Sequence, residues 1–323
     1  MKKLYILLIV ICIMFIGCGR KESRYLKDNF VFVEGGNLKI DENYKNYFKD
    51  GDTNIKLTYD FYIAKYEVTQ KEWRDVTGED YYVKGENKEE EKILNKDLIK
   101  NDKYPIRLIT WYKAIEFCNR LSKKEGIPIA YDNAGNLLDE EGKKTSDITK
   151  VRGYRLPTRA EWEYAARGGK RSKGYKYIGS NDLNEVAWNI DNSDDKIHEV
   201  GLKKPNELGI YDMNGNVSEM CTDYFNAKLS NLNPIGLISI SMDTSRIIKG
   251  GGYLFYSDDG EKIMPEYEIG VNSWIEEKDK AIQEGPGIEY NYQMGDADDY
   301  VGFRIAKTVN WVRNMEINYI MFS

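Results

Sequence analysis

The chain has 323 residues, 41% hydrophobic and 13% aromatic, enough for one large core or two small ones. Acids outnumber bases 53 to 47 and no basic stripe stands out, which argues against nucleic acid as a partner. His198 is the only histidine, so multi-histidine iron or zinc sites are excluded; its neighbours Ile197, Glu199, Val200 and Gly201 read as a strand entry, and a structural role is expected rather than a catalytic triad.

Residues 1–18 begin with Lys2 and Lys3 and continue as an apolar run from Leu4 to Ile16. This is a signal-peptide pattern, too short to span a membrane comfortably. It ends Phe15-Ile16-Gly17-Cys18, which resembles a bacterial lipobox with Cys18 as the lipidated terminus. Acyl chains there, at about 0.8 kcal/mol per buried methylene, would anchor the chain to a bacterial membrane in the cell envelope, outside the cytoplasm. The charged residues 19–28 read as a solvated tether.

Phe30 to Glu34 alternates and ends in Gly35-Gly36, a strand and turn. Asp41 to Asp52 reads as a surface loop, and Ile55 to Tyr66 as a strand. Thr69 and Glu72 stand at capping-box spacing and open a helix through Trp73 and Val76 to Gly78. Residues 79–104 are mostly Lys, Glu, Asp and Asn, a solvated insertion. Ile106 to Thr110 is strand-like. Thr110 then caps a helix carrying Trp111, Ile115, Cys118 and Leu121 on one face, stopped by Gly126 and Pro128. Cys118 reads as a small buried hydrophobe. Residues 131–150 form a loop.

The central stretch runs from Gly153 to Gly169. Pro157 forces Leu156 to be extended, Thr158 and Glu161 form a second capping box, and Gly168 suits a left-handed stop. Trp162, Ala165 and Ala166 share a helical face. Further on lie the Asn-rich block Pro205 to Glu219, the run Arg246 to Tyr253 with three glycines, and Val301 to Ala306. Short elements between Gly, Asn and Asp turns describe an α+β domain. Between Ser257 and Tyr300 there are thirteen acids, three lysines and no arginine, either a solvated insertion or a ligand-facing surface.

Taken in order, Phe61 to Trp73, Ile109 to Ser122, Arg155 to Gly169, Pro205 to Glu219, and Arg246 to Tyr253 with Gly302 to Arg304 resemble the formylglycine-generating enzyme, or sulfatase-modifying factor, family. The resemblance implies a C-type-lectin-like α+β fold over residues 29–307, with 308–323 as a tail. It also implies a calcium site using the side chains of Asp212 and Glu219 and the carbonyls of Gly215 and Val217, a donor set suited to a hard cation. Family members that oxidise a substrate cysteine to formylglycine hold copper(I) with two cysteines. Those positions fall here on Phe255 and Gly260, neither of which can ligate copper, and Cys118 and Cys221 align with other blocks. The family's three-histidine iron branch is excluded by the single histidine. The expectation is therefore a non-catalytic, membrane-anchored member that binds a protein or glycan or scaffolds an envelope complex. The alternatives are an oxidase or modifying factor with an altered site, and a calcium-dependent carbohydrate binder.

Overall fold

The computed structural model describes residues 24–39, 54–80, 101–224, 246–253, 273–275 and 301–309. The chain divides into an N-terminal unit, Met1–Phe30, and a second compact unit, Val31–Ser323. The first contains helix α1 (Arg24–Asn29), in which the Asn29 side-chain amide donates to the Tyr25 carbonyl at 3.1 Å. Cys18, the loop 41–52, most of the 79–104 insertion, Phe255, Gly260, most of the acidic 257–300 segment and the 310–323 part of the tail lie outside the described residues.

The second unit mixes small sheets with short helices. Strands β1 (Phe30–Val33), β4 (Phe61–Ala64) and β11 (Ala306–Thr308) form one sheet in the order β1-β4-β11. In it Phe61 faces Thr308 and Ile63 faces Ala306, antiparallel. A second sheet runs β10 (Val301–Gly302), β7 (Ser218–Tyr224), β8 (Arg246–Lys249), β9 (Ser273–Ile275). Strands β2 (Asn37–Lys39) and β3 (Asn54–Lys56) pair antiparallel, and β5 (Ala187–Trp188) lies parallel to β6 (Asn214–Gly215).

Both capping boxes close as their spacing demands. Thr69 caps α2 (Gln70–Thr77): its hydroxyl accepts the Glu72 amide and Glu72 accepts the Thr69 amide, while Gly78 takes the left-handed stop at φ 74°. Thr158 and Glu161 do the same for α4 (Arg159–Ala166). Thr110 caps α3 (Trp111–Lys124), which buries Trp111, Ala114, Ile115, Phe117, Cys118 and Leu121. At about 1.5–3 kcal/mol per large apolar side chain, that face is a principal part of the core. Phe117 stacks on Trp73 of α2 and meets Phe303 edge-on, joining both helices to the C-terminal block.

Helix α4 is buried on every side, not only along Trp162, Ala165 and Ala166. Its charged residues tolerate this because each has a partner. Glu161 takes two 2.7 Å bonds from Arg155 and one from the Tyr59 hydroxyl at 3.0 Å. Burial alone would raise the pKa of Glu163, but Lys249 at 2.9 Å and Arg167 outweigh it and hold the carboxyl at about 2.

Two strand expectations need correction. The run Ile55 to Tyr66 is interrupted at 57–60, giving β3 and β4, because the Asp60 side chain turns back to accept the Gly35 amide at 2.9 Å. Ile106 to Thr110 forms no strand: Leu108 sits at φ 54°, which no ladder can accommodate. The 131–150 loop is ordered by two tight turns, in which Asp132 accepts the Ala134 and Asn136 amides and Asp139 those of Glu141 and Lys143.

Candidate functional site: an acidic centre behind the Asn-rich turn

Asn206 starts the site by stitching two elements together. Its side-chain oxygen accepts the Leu208 and Ile210 amides, and its nitrogen donates at 2.8 Å to the carbonyls of Ala165 and Ala166 at the end of α4. The chain then turns sharply. Asp212 and Asn216 are left-handed at φ 57° and 58°, and Gly215 at φ 76° has no room for a Cβ, which would fall 1.9 Å from the Trp188 carbonyl. Non-glycine residues held in this region store strain, a feature that clusters at ligand sites.

Three carboxylates and one guanidinium meet behind this turn, all at most 2% exposed: Glu67, Asp212, Glu219 and Arg304. Arg304 donates to both oxygens of Glu219, and its remaining donors reach the carbonyls of Ala64 (3.1 Å) and Tyr211 (3.0 Å). The Trp162 indole adds a 2.7 Å bond to Glu219 Oε2. Glu67 accepts from the Asn216 side chain at 2.7 Å and the Val217 amide at 3.1 Å. Asp212 Oδ2 accepts the Gly201 amide at 2.6 Å, whereas Oδ1 is buried with no partner.

Acid is in surplus here. Burial, then the neighbouring charges of Asp212 and Glu219, push the Glu67 pKa well above the usual carboxylate range. Burial also raises Asp212 to about 6, although the Gly201 amide and Arg304 pull the other way. A hard cation bound here would be balanced by this surplus of acid. Asp212 Oδ1 is an orphaned acceptor, and Glu219 Oε1, which takes one Arg304 bond, keeps a further lone pair. Among the described residues no three His, Cys, Asp or Glu side chains converge on one metal position, so a cation would depend on carbonyls such as those of Gly215 and Val217. Neither Glu67 nor Arg304 was assigned a role from the sequence; Arg304 stood in a recognised block, but its partner did not point to it.

The glycine-rich run packs against this turn. The Gly250 carbonyl accepts the Gly215 amide, and the Tyr253 amide donates to Asn216. Ser193 Oγ donates to the Tyr253 carbonyl at 3.2 Å, and His198 Nε2 meets the Ser193 carbonyl at 2.9 Å. The His198 ring stacks on Trp188 at 3.7 Å, and the Lys203 ammonium lies 3.9 Å from the same indole. His198 thus orders a loop, with a carbonyl rather than a nucleophile at its ring nitrogen.

Cys118 in α3 and Cys221 in β7 are both unpaired and fully buried, and burial raises both thiols well above their ordinary pKa. Such thiols are protonated and inert. They pack, as expected for Cys118, and neither offers a thiolate to a metal.

A family model described as the sulfatase-modifying factor enzyme 1-like domain matches residues 19–309. The chain belongs to this family. Its α+β architecture is the formylglycine-generating-enzyme fold: the solved structure of Treponema denticola variable protein 1 superposes with a TM-score of 0.59 at 26% identity, covering 87% of this chain and 95% of that one. Chaperone protein LppX of Paenibacillus barcinonensis is 36% identical over 262 residues, 73% of this chain and 82% of that protein. Inactive C-alpha-formylglycine-generating enzyme 2 of Bos taurus is 36% identical over 88 residues, 24% of this chain and 29% of that protein.

Proposed function

We propose that this chain is a non-catalytic member of the sulfatase-modifying factor family. It is exported, held at a bacterial membrane by acyl chains on Cys18, and binds or scaffolds a partner in the cell envelope. The thiols carry this reading. The positions matching the family's copper cysteines are Phe255 and Gly260, and the two cysteines inside the described fold are buried and protonated. Copper(I) needs accessible thiolates.

The relative named as a chaperone spans most of both chains and favours a protein partner over a glycan: an exported polypeptide still folding or assembling. Calcium at Asp212 and Glu219, with the carbonyls of Gly215 and Val217, would cross-link the Asn-rich turn and neutralise its surplus acid. Its role would be structural.

Two assays test the proposal. Incubated with copper(I), oxygen and a cysteine-containing sulfatase peptide, the purified protein yields no formylglycine; conversion of the peptide overturns the non-catalytic reading. Added in stoichiometric amount to a refolding exported enzyme, the protein raises the soluble yield. An unchanged yield removes the chaperone-like task.

A further inference from the structure

Between Tyr164 and Asn181 the chain contains no Asp or Glu, yet carries Arg167, Lys170, Arg171, Lys173 and Lys176. In a protein of net charge -6 this is a local inversion. Arg167 is turned inward onto Glu163. The other four are exposed, on a short loop that leaves α4 through the 3-10 turn Gly169–Arg171. Half-buried Tyr175 lies among them, and the Lys176 ammonium lies 4.9 Å from the ring of Tyr177, which is buried.

Two further observations extend this face. Strand β2 packs beside the 3-10 turn, and its hairpin partner β3 ends in Lys56, which is exposed and stands opposite Asn37. Acids also touch the loop: Glu34 pairs with Lys170, and Glu207 accepts the Lys173 backbone amide at 2.8 Å. Within the loop's own sequence the charge is all basic, and Arg171, Lys173 and Lys176 are exposed beyond the Glu34 contact.

The position of the loop gives its charge a use. The compact unit begins at Val31, and three residues later Glu34 pairs with Lys170, while the Tyr164 hydroxyl donates to the Glu34 carbonyl at 3.2 Å. The basic loop therefore lies one short strand, about 10 Å of extended chain, from where the compact unit begins. A tether from a lipid on Cys18 would keep the domain within reach of the bilayer, leaving the surface charge to choose which face meets it. A cluster of exposed basic residues is what an anionic headgroup layer attracts.

We infer that the Lys170–Lys176 loop is a docking surface for anionic phospholipid, which lays the domain against the membrane in one orientation and turns the opposite side to its partner. The inference rests on the anchored reading above, but its test does not. The chain from residue 19 onward retains the whole compact unit and lacks the leader. It is mixed with neutral phosphatidylcholine vesicles and with vesicles containing phosphatidylglycerol, and sedimented. Binding to the anionic vesicles alone is expected, weakening as salt is raised. The triple variant Arg171→Gln, Lys173→Gln, Lys176→Gln should lose roughly 100-fold in partition coefficient. A control triple on other surfaces, Lys123→Gln, Lys124→Gln, Lys144→Gln, should bind at least tenfold more tightly than that variant, on the order expected if the loop carries the charge.

Failure of anionic vesicles to bind, equal binding to neutral vesicles, or equal loss in both triples overturns the inference. Binding to polyglutamate without binding to anionic vesicles overturns it in favour of an acidic polypeptide. Radiolabelled palmitate incorporation into the full chain, lost in Cys18→Ala, reports separately on the anchor.

Discussion

Replacing Arg304 by Met should be among the most damaging single changes available to this domain. The guanidinium is fully buried and gives two bonds to Glu219 and one each to the carbonyls of Ala64 and Tyr211. Breaking a buried pair from one side costs about 3–5 kcal/mol, because the surviving charge stays in low dielectric. Each carbonyl left without a donor adds about 1–3 kcal/mol. Glu67 and Asp212 also lose the nearest positive charge, since Arg304 lowers the pKa of both. A loss of about 5 kcal/mol or more stands against a typical total of about 5–15 kcal/mol. At about 2–4 °C per kcal/mol for a domain of this size, the melting temperature should fall by about 10 °C or more. Circular dichroism melts of Arg304→Met, Glu219→Gln and the double variant form a cycle. The double variant should be less damaged than the sum of the singles by about 2 kcal/mol, because the second change removes the orphan left by the first. Additivity within about 0.5 kcal/mol, or a cost below about 1 kcal/mol for Arg304→Met, would refute the reasoning.

Three further outcomes are expected. Asp212→Asn should abolish any rise in melting temperature on adding calcium, whereas Glu219→Ala should destabilise the protein in calcium and chelator alike; equal calcium response in wild type and Asp212→Asn would remove the cation from this turn. Asp223 is buried and raised to about 6, chiefly by burial. Its protonated form therefore adds stability that is complete below the unfolded value near 4 and lost as pH rises through about 6, a change of about 2–3 kcal/mol. Asp223→Asn should flatten the urea midpoint over that pH window, and an unchanged slope would count against the assignment. In native protein whose leader has been removed, Ellman's reagent should leave Cys118 and Cys221 unmodified until denaturant is added; rapid labelling of either would contradict their inert burial.

What could be read from the sequence was local. The boxes at Thr69/Glu72 and Thr158/Glu161 act across three residues, so their helices and stops were visible in the spacing. Asp212 and Glu219 were legible because they sit in one continuous block. Glu67 was not: its partners Asn216 and Val217 lie 149 and 150 residues away, and an acid after an apolar strand looks like any other strand end. The break between β3 and β4 was hidden for a similar reason, since Asp60 is committed to Gly35, 25 residues earlier. Leu108 shows the converse, an apolar residue whose backbone conformation is set by its surroundings. The basic loop is hidden in the net charge of -6, because its cations stand out only against the local sequence between Tyr164 and Asn181.

The Arg304 contacts also bear on the order in which the protein can be made. Glu219 precedes Arg304 by 85 residues and Ala64 by 240. A chain made amino end first presents these acids long before Arg304, which balances them among the described residues. Until that late segment emerges, the sheets have no reason to close around Glu219, and premature collapse is discouraged by repulsion. Maturation of this domain is thus deferred to the arrival of its last described strands, when one side chain ties Ala64 and Glu219 together at once.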